Sequence, residues 1–241
     1  MKASIVIPTY NESENIAELV GRLERVLDGR DYEIIVADDD SPDGTWKIVE
    51  EISKRNGRVS CLRRVGAAEK GLSPSVVEAF DRAEGDLLAV LDGDMQHDET
   101  YLPTLLDAAE DADIVVGSRL AEGGGVEGGW PWSRRLASFM AAKAAKLVLG
   151  VKVSDPMSGY FVVRRSFYRD VRGKLDPSGF KILLELLYLA KTARGDAVIA
   201  ERGIFFRERR AGKSKLGPKV VMQYFVSLFK MRFLRPSGRG E

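Results

Sequence analysis

The sequence predicts a mostly parallel α/β sheet flanked by helices. Three observations carry that expectation. Short β-branched apolar runs alternate with segments of helical periodicity. The runs are apolar throughout, as strands covered on both faces are. Polar clusters follow three of them directly, where such sheets carry their ligands.

Ser4 to Pro8 reads as the first strand, and Asn15 to Leu27 as a helix through Ile16, Leu19, Val20, Leu23 and Leu27. Tyr32 to Ala37 is a second strand, followed by a helix through Trp46, Ile48, Val49 and Ile52. Val59 to Leu62 gives a third strand and Pro74 to Ala83 a third helix, the proline being tolerated in the first turn. Leu87 to Leu91 is the fourth strand, Tyr101 to Ala109 a helix, and Asp113 to Gly117 another strand. Strands joined through helices imply right-handed crossovers.

The bulk composition sets limits. With 44% apolar and 30% charged residues in 241, the chain has an ordinary globular balance and can bury one good core. A net charge of +1 gives no mandate for nucleic acid. Cys61 stands alone, so no disulfide forms within the chain, and it reads as a small core residue rather than a nucleophile. The N-terminus runs straight into a strand without the shape of a signal peptide. No stretch reaches the ~18 uninterrupted apolar residues of a membrane span. The expectation is a cytoplasmic chain that does not cross a membrane by itself.

Strand one ends in Pro8-Thr-Tyr-Asn-Glu12, strand two in Asp38-Asp-Asp-Ser41 and strand four in Asp92-Gly93-Asp94, so three polar clusters share one rim. Carboxylates two apart on an extended strand point to one side, where hard cations such as Mg²⁺ or Mn²⁺ take oxygen ligands. Asp-Gly is also a hairpin signal, and Asp92-Gly-Asp94 taken alone leaves turn and cation site open. Neither G-x-G-x-x-G nor G-x-x-x-x-G-K-[ST] is present, which argues against a Rossmann dehydrogenase or a P-loop enzyme.

Ile5-Val-Ile-Pro-Thr-Tyr-Asn-Glu12, Asp38 to Thr45, Lys70-Gly-Leu-Ser73 and Asp92-Gly-Asp-Met-Gln-His97 together resemble the family 2 glycosyltransferases of the GT-A fold. Ser41 to Thr45, Gly117-Ser-Arg119, Asp155 to Gly159, Gly179 to Glu185 and Gly212 to Gly217 resemble its polyprenol-phosphate (dolichol-phosphate) mannose synthase subgroup. The resemblance runs in order through nearly the whole chain. It implies a GT-A catalytic domain over 1–217, with an amphipathic interface helix at 131–149, and a C-terminal amphipathic helix and tail over 218–241.

On the donor side, the resemblance implies that Pro8, Tyr10, Glu12, Asp39, Lys70, Asp92 and Lys213 hold a sugar nucleotide, GDP-mannose. Tyr10 and Glu12 also fit a helix-start turn, and Lys70 a solvated lysine. The family more often has Asn at position 40, so the role of Asp40 stays open. Asp92, Asp94 and Gln96 are implied ligands of Mg²⁺ or Mn²⁺, and His97, the single histidine, reads as a neighbour of that site.

On the acceptor side, Arg119, Arg134 and Ser138 are the implied partners of a lipid phosphate, and Arg210 and Lys213 would close over the diphosphate. The implied catalytic set is Asp94, Arg119 and Arg210. Gly123 to Gly129 suits a lid or acceptor loop. Residues 131–149 carry Leu136, Met140, Ala144, Leu147 and Val148 on one side and Arg134, Arg135, Lys143 and Lys146 on the other, the pattern of an interfacial helix or of a core-packing one. Lys219 to Leu234 is too apolar to be solvated all round. It is expected to dock on a bilayer, on a membrane-embedded partner protein or on a second copy.

The implied reaction is inverting transfer of mannose from GDP-mannose to polyprenyl or dolichyl phosphate, by a protein held peripherally on the cytoplasmic face of a membrane. The alternatives are glucosyl transfer from UDP-glucose to the same lipid, or a non-catalytic membrane-associated nucleotide-sugar-binding module.

Overall fold

The computed structural model describes residues 1–128, 132–176, 182–207, 224, 226 and 228–234, and of 132–138 and 234 the backbone alone. In chain order the elements are β1 (Ala3–Thr9), α1 (Ile16–Val26), β2 (Tyr32–Asp38), α2 (Thr45–Ser53), β3 (Val59–Arg63), α3 (Leu72–Arg82), β4 (Leu87–Val90), α4 (Leu102–Ala108), β5 (Ile114–Ser118), β6 (Gly125–Val126), α5 (Trp132–Leu149), β7 (Phe161–Arg164), α6 (Arg165–Arg172), α7 (Ile182–Leu189), β8 (Ile199–Gly203) and β9 (Phe205–Phe206). Seven strands form one sheet in the order β3-β2-β1-β4-β7-β5-β8, and β6 pairs with β9 in a small parallel ribbon.

The apolar runs behave as their composition requires. Ile5, Ile7, Ile34, Val36 and Ala89 face one side, under α1 and α4; Val6, Ile35, Leu88, Val90 and Val116 face the other, under α3, α6 and α7. All are buried, so the sheet is covered on both faces.

One strand breaks the parallel pattern. β7 runs antiparallel to both neighbours, β4 and β5, with Phe161 opposite Val90 and Val116. A strand that runs backwards presents its amino end where its neighbours present their carboxyl ends. The loop ahead of β7, Asp155 to Tyr160, is thereby delivered to the same rim as the polar clusters.

Part of the glycine-rich stretch expected as a lid or acceptor loop is hydrogen-bonded to the segment after β8. Gly125 N–H donates to the Ile204 carbonyl at 3.0 Å and Glu127 N–H to that of Phe206 at 2.9 Å. A Cβ on Gly124 would stand 3.0 Å from the Ala121 carbonyl oxygen, so close backbone approach, not flexibility, uses this glycine.

Helix α5 is built differently from its expected faces. Its buried stripe is Ala142, Ala145 and Leu149, while Phe139, Met140 and Leu147 lie exposed beside Lys143 and Lys146. Small alanines let the helix approach the body closely, which leaves the bulkier side chains outside. The C-terminal segment adds a docking surface not anticipated above. Tyr224, Leu228 and Met231 are buried in the core of this same chain, and the Tyr224 hydroxyl donates to the Ala141 carbonyl. Val226, Phe229 and Phe233 face outward.

Two carboxylates make the fold acid-sensitive. Burial raises the Asp43 pKa, but hydrogen bonds from Thr45 and Ser13 outweigh it and hold the group below its ordinary range. For Asp81, burial is likewise outweighed by Arg172 and Tyr168. The unfolded chain then binds these protons more readily than the folded one. Their contribution is complete above about pH 4 and is lost as pH falls through the lowered folded values. The urea midpoint is expected to drop between pH 4 and pH 3, and to drop less in Asp43→Asn; an equal fall in both proteins would exclude Asp43 as a source.

Candidate active site

Three rim loops each contain one non-glycine residue in the left-handed region: Asn11 at φ 59° after β1, Asp40 at φ 58° after β2 and Met95 at φ 63° after β4. Asn and Asp tolerate this conformation, whereas for Met it costs of order 1 kcal/mol. Such strain persists where surrounding contacts hold it, and it clusters at working sites. Here the loops after β1 and β2 tie to each other. Asn11 N–H donates to Ser41 Oγ at 3.0 Å, Glu12 N–H to Thr45 Oγ1 at 2.9 Å, and Ser13 N–H to Asp43 Oδ2 at 3.0 Å.

The three adjacent aspartates relieve their repulsion by taking different partners. Asp38 is fully buried and accepts from Thr9 Oγ1 at 2.8 Å and from Ser41 N and Oγ at 2.8 and 2.6 Å. Asp39 accepts from Arg64, from Ser75 Oγ at 3.0 Å and from Gly71 N–H at 2.6 Å. Asp40 pairs with Arg63 at 2.7 Å, whose guanidinium lies 3.5 Å from the Trp46 ring centroid. That pairing gives Asp40 a structural role.

Arg64 escaped the sequence reading. It is buried and also donates to Glu78 at 2.8 Å and to the Glu69 carbonyl at 2.7 Å, so it organises the loop that carries Lys70. Its place just after β3 was the available signal, since that strand also ends on the rim. Lys70 is exposed, with Nζ 3.3 Å from the Asp39 carbonyl oxygen. Tyr10 is 42% exposed, whereas Glu12 is buried and accepts from Asn15 Nδ2 at 2.9 Å; Pro8 is half-buried within β1.

Strand β4 ends at Val90, so Asp92, Gly93 and Asp94 stand on the loop beyond it. Strand alternation therefore does not aim the two carboxylates, contrary to expectation; the tight turn does. Asp94 Oδ1 accepts from Gln96 N–H at 3.1 Å, and Gln96 Nε2 donates to the Arg207 carbonyl at 3.2 Å. The Arg207 N–H returns a bond to the Gln96 carbonyl at 2.8 Å, and its guanidinium bridges Asp98 and Glu99, both at 2.8 Å. Residues 96–99 are thus clasped to the segment after β9.

His97 is a neighbour of this loop, as expected. Its Nε2 lies 3.2 Å from Asp92 Oδ2, and its ring packs 5.1 Å from Tyr160 and 5.0 Å from Phe206, centroid to centroid. Gly159 closes the cradle: a Cβ there would stand 2.6 Å from Asp92 Oδ2 and 3.1 Å from His97 Nε2.

At the end of β5, Arg119 forms a two-pronged ion pair with Asp155, Nε to Oδ2 at 2.6 Å and Nη2 to Oδ1 at 2.9 Å. Its guanidinium stands 5.3 Å from the Phe206 ring centroid. Phe206 therefore neighbours both Arg119 and His97, and links the β5 end to the Asp92 loop. Arg134 and Ser138 lie on α5 with side chains outside the described residues, and Arg210 and Lys213 lie outside them altogether.

The donor set fits a hard divalent cation. Two carboxylates and an amide oxygen are its chemistry, and the cradle holds Asp92 by His97 and a glycine without a side chain. Among the described residues no group of three or more His, Cys, Asp or Glu converges.

The sequence profile described as Glycosyl transferase family 2 matches residues 4–172. The chain is similar to the dolichol-phosphate mannosyltransferase of Pyrococcus furiosus, 40% identical over 234 residues. That alignment covers 96% of this chain but 64% of the relative, so the chain spans less than two thirds of that protein. The dolichol-phosphate mannosyltransferase of Saccharomyces cerevisiae is 34% identical over 230 residues, 93% of this chain and 85% of the relative. Among solved structures, glucosyl-3-phosphoglycerate synthase from Mycobacterium tuberculosis, in complex with Mn²⁺, UDP and glucosyl-3-phosphoglycerate, matches with a TM-score of 0.73. It covers 100% of this chain and 83% of that one at 21% identity, a likeness of fold.

Proposed function

Since the chain belongs to glycosyl transferase family 2 and has the GT-A fold, we propose that it transfers mannose from GDP-mannose to the phosphate of a polyprenyl phosphate such as dolichyl phosphate. The observation that carries this reading is the shared rim: the Asp92–Gln96 loop and Arg119 are joined through His97 and Phe206, and Thr9 and Glu12, which flank the exposed Tyr10, lie against Gly93. A cation loop next to a phosphate-binding arginine is what transfer from a nucleoside diphosphate to a phosphate requires. The two mannosyltransferase relatives support the sugar and the lipid.

On the donor side, Tyr10 offers a ring face to the base, while Pro8, Glu12, Lys70 and Lys213 complete the pocket. Asp39 receives three donors among the described residues. A carboxylate has about four acceptor positions, so Asp39 holds its loop and still accepts an N–H from the base. Asp92, Asp94 and Gln96 would hold Mg²⁺ or Mn²⁺, and such a cation would supply charge neutralisation for a nucleoside diphosphate.

On the acceptor side, Arg119, Arg134 and Ser138 orient the lipid phosphate, and Arg210 closes over the diphosphate. One acceptor phosphate oxygen attacks C1 of mannose from the face opposite GDP. The C1–oxygen bond breaks with its electron pair leaving on GDP, and the configuration inverts. The second pKa of a phosphate monoester is near ~6, so this nucleophile is already ionised at neutral pH and needs no general base. Catalysis rests on positioning and charge complementarity.

Among the described residues no helix is long and apolar enough to cross a membrane. In this reading the chain docks peripherally on the cytoplasmic face of a membrane, where its lipid acceptor lies. Phe139, Met140 and Leu147 of α5 and Val226, Phe229 and Phe233 of the C-terminal segment are exposed, with Lys143, Lys146, Lys230 and Arg232 among them. Apolar side chains interspersed with basic ones suit an anionic bilayer surface. Removing the tail would also remove Tyr224, Leu228 and Met231 from the core, so point changes are the cleaner test. Phe229→Ser with Phe233→Ser is expected to cut co-flotation with anionic vesicles by about tenfold or more at unchanged Tm. Unchanged flotation would remove this face from the membrane.

The reaction is tested with the full chain, vesicles containing polyprenyl phosphate, Mn²⁺ or Mg²⁺, and radiolabelled GDP-mannose or UDP-glucose. Label from GDP-mannose should enter the organic-extractable lipid. Label from UDP-glucose alone would reassign the donor. Binding of a sugar nucleotide without labelled lipid would leave a non-catalytic module.

A further inference from the structure

We propose that Asp155 is the positioning residue of Arg119, and that Glu201 holds Asp155 in place for that task. The proposal rests on the reading of Arg119 as an acceptor-phosphate group. An arginine side chain is long and has many rotamers, so a phosphate-binding fork is useful for in-line attack only if something fixes its plane. Asp155 does so along one edge of the guanidinium, through Nε at 2.6 Å and Nη2 at 2.9 Å. The Asp155 side chain is 1% exposed and that of Arg119 13%, which puts the carboxylate beneath the arginine.

Asp155 is in turn held from β8. Glu201 accepts from Ser154 N–H at 2.8 and 2.9 Å, from Ser154 Oγ at 2.6 Å and from Asp155 N–H at 3.4 Å. Ser154 Oγ also lies 2.6 Å from Ser118 Oγ, the residue before Arg119. Glu201 stands opposite Val116 in the β5–β8 register, so the network spans two adjacent strands and the loop ahead of β7.

Electrostatics alone opposes this arrangement. Two carboxylates stand behind a group that must attract a dianionic phosphate, and they weaken its field. A network that costs attraction is explained if orientation is what it secures. The two accounts predict opposite outcomes. If charge dominates, Asp155→Asn should tighten the acceptor; if positioning dominates, it should loosen it.

The test measures KM for polyprenyl phosphate and for GDP-mannose, together with Tm, in Asp155→Asn, Glu201→Gln and Arg119→Gln. The expected result for Asp155→Asn is an acceptor KM raised about tenfold with the donor KM within about twofold, and for Glu201→Gln a smaller rise of the same kind. An acceptor KM that falls or stays put in Asp155→Asn overturns the proposal, as does a parallel rise of both KM values with a collapsed Tm in both Asp155→Asn and Glu201→Gln. If Arg119→Gln raises the acceptor KM and Asp155→Asn does not, the acceptor reading stands and the positioning role fails. If Arg119→Gln leaves the acceptor KM unchanged, the acceptor reading itself fails and takes the proposal with it.

Discussion

Asp94→Ala is expected to reduce metal-dependent transfer by about three orders of magnitude or more, corresponding to roughly 4 kcal/mol of lost transition-state stabilisation. Asp94 is the carboxylate most enclosed by the turn after β4, 7% exposed, and its Oδ1 takes the Gln96 N–H. Truncation removes both the proposed cation ligand and the bond that shapes the loop. The loop bond by itself contributes only about 1 kcal/mol, so the protein should remain folded. Asp94→Asn separates the two effects, because an amide oxygen still accepts from Gln96 while the charge is gone. Both variants should lose Mn²⁺ binding in calorimetry, and Asp94→Asn should keep the parent Tm. Undiminished transfer by Asp94→Ala would remove this residue from the cation site.

Gly159→Ala is expected to lower transfer by about one to two orders of magnitude without unfolding the protein. The added Cβ would stand 2.6 Å from Asp92 Oδ2 and 3.1 Å from His97 Nε2. At that separation something must move, and the end of a side chain moves more cheaply than backbone. Asp92 would be pushed off His97, the contact that orients it. If Asp92 is the ligand proposed above, a displacement of a fraction of an ångström costs the site much of its value. Mn²⁺ affinity should weaken in parallel with turnover, measured by titration of the full chain. Unaltered Mn²⁺ affinity and turnover would mean that the Asp92–His97 contact has no part in the site.

The strands around Ile5, Ile34 and Leu88 were legible because a doubly covered strand must be apolar throughout, and their buried faces follow from alternation. The rim was legible too, since Tyr10 and Asp39 each follow a strand directly and Asp94 stands four residues beyond the end of β4. β7 was not. Phe161 to Arg164 is a four-residue run, and nothing in it encodes the direction in which it enters the sheet. The role of Asp155 was hidden for the same reason: its loop reaches the rim only because β7 runs backwards. Arg64 and Arg207 resembled the many surface arginines of the chain until their carboxylate partners were in view.

By itself, then, the sequence determined the α/β class, the carboxyl-end rim and the residue types on it, because these depend on local periodicity and on what directly follows each strand. The tertiary structure decided which of those residues meet. It paired Arg119 with Asp155 across 36 positions, set His97 against Asp92, and buried Tyr224 under the Ala141 carbonyl 83 positions earlier. Such contacts are selected by strand direction and by close packing between distant segments. Neither leaves a periodic trace in the chain.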